Sequence, residues 1–175
     1  MIHSDNIPEP LKGARRWVVF RCTPQPDGSV KKIPLTVRGT LARCDNPIDW
    51  ATLPEVLTAI EFCIGTHPAF VLGEDYPLRV LDLDLCINDD GNLTPLAVRI
   101  VSRCEGTYIE KSVSGHGLHI LMWSSGRKYP TNPVPGLEVY EGAPRFIVMT
   151  GDIWNPIPTS DPEFNRQLAY RETHA

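Results

Sequence analysis

The sequence predicts an α+β fold in which strands outnumber helices, about eight to two. Three observations carry this reading. Short β-branched and aromatic runs recur between turn signals. Only two segments hold an apolar repeat near 3.6 residues. The 17 Pro and 13 Gly among 175 residues disfavour long uninterrupted helices.

The elements follow in order. Arg16–Thr23 reads as a strand, PQPDGS as a turn and Lys31–Val37 as its hairpin partner. Pro34 marks that partner as an edge strand or a bulge. Asp45–Gly65 reads as helical: Asn46 can cap, Pro47 fits the first helical position, Gly65 can terminate, and Pro54 can divide it. Strands follow at Ala69–Gly73 and Leu78–Ile87, then a loop at Asp89–Asn92 and a helix over Thr94–Glu105. Thr107–Ser112 and Leu118–Trp123 read as strands joined by Ser-Gly-His-Gly. Residues 126–136 form a proline-rich loop, and Leu137–Tyr140 with Arg145–Thr150 reads as a final strand pair. This gives one domain over residues 1–152 and a tail or linker over 153–175.

Composition narrows the setting. No apolar run approaches the roughly 20 residues that span a bilayer, so no membrane is expected. The first ten residues are polar and broken by Pro, unlike a signal peptide. Five scattered cysteines without a CxxC pair read as reduced thiols in a cytoplasmic protein. The net charge is −4, yet residues 1–43 carry eight Lys/Arg against three Asp/Glu. A basic segment in an acidic chain suits a polyanion held near cations that acids also bind; scattered solvated charge is the plainer reading.

Three segments carry chemistry. In Val80-Leu81-Asp82-Leu83-Asp84-Leu85, strand alternation points Asp82 and Asp84 one way and the leucines into the core. Two adjacent carboxylates repel unless a cation lies between them, and their oxygens suit Mg²⁺ or Mn²⁺. The alternative is a solvated strand face, although acids are depleted in strands. In the run from Ser112 to Ile120, Ser114, Gly115 and Gly117 offer hydroxyl and N–H groups to an anion, and His119 on the next strand can donate to a phosphate. The alternative is a plain hairpin with a packed His. Glu138, between Leu137 and Val139, can add a third acid from a neighbouring strand, or be a surface residue.

The order acid-x-acid, Ser/Gly turn ending in His, then hydrophobic-acid resembles the catalytic core of the archaeo-eukaryotic primase superfamily. It is most similar to primase-polymerases of phages and mobile elements. Lys31-Lys32-Ile33-Pro34 after the Trp17 strand, Asp49-Trp50, Tyr108-Ile109-Glu110 and Arg145-Phe146 agree with it, and the likeness spans about residues 14–152. Val113 stands where the family often has Pro, and Glu138 where many members carry Asp.

The resemblance implies an RRM-like antiparallel or mixed catalytic sheet beside a smaller N-terminal α/β part. It implies DNA-templated nucleotidyl transfer with two Mg²⁺ or Mn²⁺ ions on Asp82, Asp84 and Glu138. Ser114, Gly115, Gly117, His119, Arg145 and Phe146 are expected at the nucleotide. Arg15, Arg16, Lys31 and Lys32 are expected along the DNA. Single-stranded or primed DNA and nucleoside triphosphates are the implied partners, with a replicative helicase a further one, in bacterial or phage-infected cytoplasm. Two rivals are a rolling-circle nicking enzyme, built on a His pair and a Tyr, and an inactive nucleotide- or single-strand-binding module. His116 and His119 differ by an odd number, which on a strand sends them to opposite faces.

Overall fold

The computed structural model describes residues 2–104, 106–124 and 130–154. Glu105, residues 126–129 of the proline-rich loop and the 155–175 part of the expected tail lie outside the described residues.

The chain forms two four-stranded antiparallel sheets with few helices. A short helix, α1 (Glu9–Lys12), precedes the hairpin of β1 (Trp17–Pro24) and β2 (Val30–Leu35). Among the described strands β2 is paired with β1 alone, as Pro34 predicts for an edge. After α2 (Leu53–Glu61), β3 (His67–Leu72) returns beside β1. β4 (Leu78–Leu83) then starts the second sheet, followed by α3 (Pro95–Val101), β5 (Tyr108–Lys111), β6 (Leu118–Trp123) and β7 (Leu137–Tyr140). β8 (Arg145–Val148) goes back to the first sheet. The orders are β2-β1-β3-β8 and β5-β6-β4-β7.

Several expectations change. Leu137–Tyr140 and Arg145–Thr150 are not a strand pair: β7 pairs with β4 and β8 with β3, in different sheets. The N-terminal part is neither smaller nor purely N-terminal, because β8 completes its four strands. The 45–65 segment is a 3₁₀ turn at Pro47–Asp49 and a separate helix. Thr52 and Glu55 form a capping box at α2, with Pro54 inside its first turn, so the break falls before Pro54. Ile153 pairs with Glu110 and the Trp154 N–H donates to Ile109 O, so ordered pairing runs two residues past the expected boundary.

The two sheets share a core. Trp17, Phe70 and Leu72 of the first sheet pack in one cluster with Val80, Leu121 and Tyr140 of the second. The opposite face of the second sheet buries Leu83, Ile109, Leu118 and Ile120 with Ala97 of α3. A third cluster joins Val18, Phe20, Ala69 and Val71 with Phe146, and Val113 packs on it. Val113 thereby ties the β5–β6 turn to the first sheet. Among the described residues no helix is long and apolar enough to cross a membrane.

Candidate functional site

Strand register assembles one row of ionisable side chains. Glu138 of β7 stands opposite Asp82 of β4, Asp82 opposite His119 of β6, and His119 opposite Glu110 of β5. Directly opposed residues project from the same face, so four titratable groups from four strands line up across the second sheet. The face is the one that packs on the first sheet further along, at Val80, Tyr108 and Tyr140. Tyr140, two residues on from Glu138, lies on this face and is buried.

His119 is the buried centre of the row. Its Nδ1 lies 3.1 Å from Glu110 Oε1 and its Nε2 3.8 Å from Asp82 Oδ1. Burial works to discharge the imidazolium, but the hydrogen bond and charge of Glu110, with the charge of Asp82, outweigh it and raise the pKa. Asp82 is also raised. Burial is the main cause and the Asp84 charge adds to it, while His119, Lys32 and Arg145 pull the other way. Lys32, on the first sheet, thus acts on both Asp82 and His119.

Leu85 departs from the expected alternation. β4 ends at Leu83, and Leu85 takes a left-handed φ of 47° with its side chain 81% exposed. The Asp84 N–H still donates to Gly136 O in the β4–β7 register, and the chain turns off the strand at Leu85. Leu85 therefore leaves the core to Cys86 and Ile87. Asp84 and Glu138 line a groove of about 330 Å³ against Asn132 and Val134. Glu138 lies 3.5 Å from Arg145, whose guanidinium sits 4.0 Å over the Tyr140 ring and donates to the Tyr140 hydroxyl. Among the described residues, no group of three or more His, Cys, Asp or Glu side chains converges closely enough to hold a metal ion by itself.

The Ser/Gly turn is a closed hairpin. The Ser112 N–H donates to Gly117 O, and the Gly115 N–H to Ser112 O, so the Gly115 amide is used within the turn rather than held open for an anion. Gly115 has a φ of 79°, which a side chain would strain. A Cβ at Gly117 would meet Leu83 O and Ser112 Oγ at 2.9 Å each, so the turn lies tight against the end of β4. Ser114 is exposed, and its hydroxyl accepts the His116 N–H. The His116 ring sits by Ile87 O at 3.2 Å, outside the His119 row.

The remaining candidates separate. Lys31 and Lys32 are exposed on β2, with Lys32 opposite Cys22. Arg15 is exposed but paired with Glu55 at 3.0 Å. Arg16 corrects its expected place along the DNA. It is buried, bonded to Asp75 and the Val71 carbonyl, and its guanidinium lies 4.5 Å from the Trp50 ring centre. Phe146 is half-buried, with its ring edge-on to Phe20 at 5.3 Å.

Glu110 is the site residue that sequence reasoning left without a role. The signal was available: once Ser112 pairs with Gly117, counting two places outward on each strand sets Glu110 opposite His119.

No protein-family model matches this chain, and no curated protein matches it.

Proposed function

We propose that the chain is a DNA-templated nucleotidyl transferase of the primase-polymerase kind, acting on single-stranded or primed DNA and nucleoside triphosphates. The observation that carries this reading is the cross-sheet row Glu138–Asp82–His119, with Asp84 just beyond it and the Ser/Gly turn against the same strand end.

Two further features support it. The β4-α3-β5-β6-β7 succession with the order β5-β6-β4-β7 suits an RRM-like, split βαβ sheet. The donor set also fits a hard cation. Asp82, Asp84 and Glu138 offer only oxygens, and burial, the main cause of the raised Asp82 pKa, disfavours an ionised carboxylate that a bound cation would favour. An open arrangement suits Mg²⁺ or Mn²⁺, since Mg²⁺ is usually held by one or two carboxylates together with substrate phosphates. When bound, such ions lower the pKa of an attacking hydroxyl and neutralise phosphate oxygens.

The chain's own residues then divide the work. His119, protonated on both nitrogens when an anion is bound, donates from Nε2 to a phosphate oxygen of the nucleotide, and the Ser114 hydroxyl offers a second contact at the turn. Arg145, resting on Tyr140 beside Glu138, supplies a cation at the groove. Lys32 faces the row from the first sheet and adds salt-dependent attraction for the polyanion. His116 lies outside the row and forms no pair with His119, which disfavours the nicking reading. The test is primer extension with Mg²⁺ or Mn²⁺: the base added should follow the template, and no covalent protein–DNA adduct should form.

A further inference from the structure

Glu110 is fully buried at 0% exposure, and a carboxylate there is costly unless donors saturate it. The donors come from three parts of the chain. Tyr108 Oη donates to Oε2 at 2.7 Å, and burial with the Glu110 charge keeps that phenol protonated. The Gly151 N–H donates to Oε2 at 2.8 Å, and the Thr150 N–H lies 3.1 Å from Oε2 and 3.3 Å from Oε1. His119 Nδ1 completes the set, 3.1 Å from Oε1.

We propose that Glu110 is a positioning residue: by accepting the Nδ1–H of His119, it aims Nε2 at Asp82 and the space in front of it. An ionised carboxylate can only accept, so the nitrogen facing it carries the proton. That fixes the ring's orientation and leaves Nε2 to take up the second proton when an anion enters, so the ring meets it as a charged donor braced by Glu110. The further step, that Nε2 meets a triphosphate, rests on the function proposed above. Glu110 also joins the sheets, because Thr150 and Gly151 follow directly on β8 while Glu110 lies on β5. The first sheet thereby helps hold the ring in the second.

The asymmetry of the carboxylate supplies a discriminating variant. Tyr108 and Gly151 bond Oε2, whereas His119 bonds Oε1. Glu110→Gln can keep its oxygen at the Oε2 position and place its amide nitrogen against Nδ1. Nδ1 must then accept, and the ring proton moves to Nε2.

The experiment is ¹⁵N NMR of the His119 imidazole in the full chain at pH 8, with affinity for magnesium tripolyphosphate measured in parallel. The wild type should show a protonated Nδ1, and E110Q an unprotonated one. E110Q, whose neutral ring offers Nε2–H without the charge assistance that the Glu110 carboxylate gives, should bind tripolyphosphate about 10- to 100-fold more weakly, as should His119→Ala, and the double variant should lose no more than His119→Ala alone. An unprotonated Nδ1 in the wild type overturns the proposal, whether or not E110Q folds. So does a Nδ1 still protonated in E110Q, or additive losses in the double variant. A wild type that binds no tripolyphosphate counts against the nucleotide reading, while the imidazole spectrum still decides the role of Glu110.

Discussion

Asp82 on β4 stands directly opposite His119 on β6, with His119 Nε2 3.8 Å from the Asp82 carboxylate. An acid and an imidazole meet on one sheet face at the end of the core shared by the two sheets. The pair sets the pH behaviour and the ligand chemistry expected of the site.

The first prediction concerns His119. Its pKa in the folded chain lies above the ordinary 6.5. Charged His119 therefore contributes stability that is fully present below about pH 6.5 and is lost as the pH rises through the folded pKa. Denaturant unfolding of wild type and His119→Gln should show a gap that is widest at low pH and narrows upward from there. His119→Ala should also weaken nucleotide binding about 10- to 100-fold, the worth of one charge-assisted hydrogen bond. Its affinity for single-stranded DNA should stay near that of wild type.

Asp82 gives the opposite sign. Its folded pKa is raised, so its ionised form destabilises the metal-free fold at pH values above that pKa, and the penalty vanishes below about pH 4. Asp82→Asn should raise the thermal midpoint of metal-free protein at pH 7, with the gain disappearing as the pH falls toward 4. Scanning calorimetry in a chelator at both pH values checks this.

Lys32 and Arg16 should part company in DNA binding. Lys32→Ala should lower the salt slope for a single-stranded oligonucleotide by about 0.7, the loss of one phosphate contact. Arg16→Lys should leave that slope unchanged and lower stability instead, because the buried guanidinium's bidentate pair with the exposed Asp75 needs its planar fork. Titrations at several salt concentrations beside unfolding curves separate the two.

Sugar selection is expected at Phe146, whose ring lies edge-on to Phe20. An aromatic beside C2′ excludes a 2′-hydroxyl by sterics and by leaving it unpaired. Wild type should prefer deoxynucleotides, and Phe146→Ala should admit ribonucleotides at moderate cost in rate. A folded variant with unchanged preference would move the gate elsewhere, Tyr140 being next. An unfolded one would make Phe146 a core residue.

Local elements were legible in the sequence because their causes are local. The bounds of β6 and β7 match the expected ones, and the β1–β2 and β5–β6 hairpins form around their Gly-containing turns. The α2 start was also written locally, in Thr52 and Glu55, but the Asn46-Pro47 signal marks a 3₁₀ turn. Asp82, His119 and Glu138 were legible as types and spacing. Their alignment in one row was not, since it depends on β4 pairing with both β6 and β7 across long stretches of chain. The partners of β7 and β8 were missed for the same reason. Arg16 read as one of several surface cations because its partner, Asp75, is 59 residues away.

The central claim is that Asp82 and its neighbours support template-directed nucleotide addition. Primer extension on templates differing at the first unpaired base, with Mg²⁺ or Mn²⁺, tests it most directly. Wild type should add the complementary deoxynucleotide, and folded Asp82→Ala should lose the activity by about a thousandfold, several kcal/mol of transition-state stabilisation. Folded wild type that extends no primer with either metal, or Asp82→Ala that extends as well as wild type, would contradict the account.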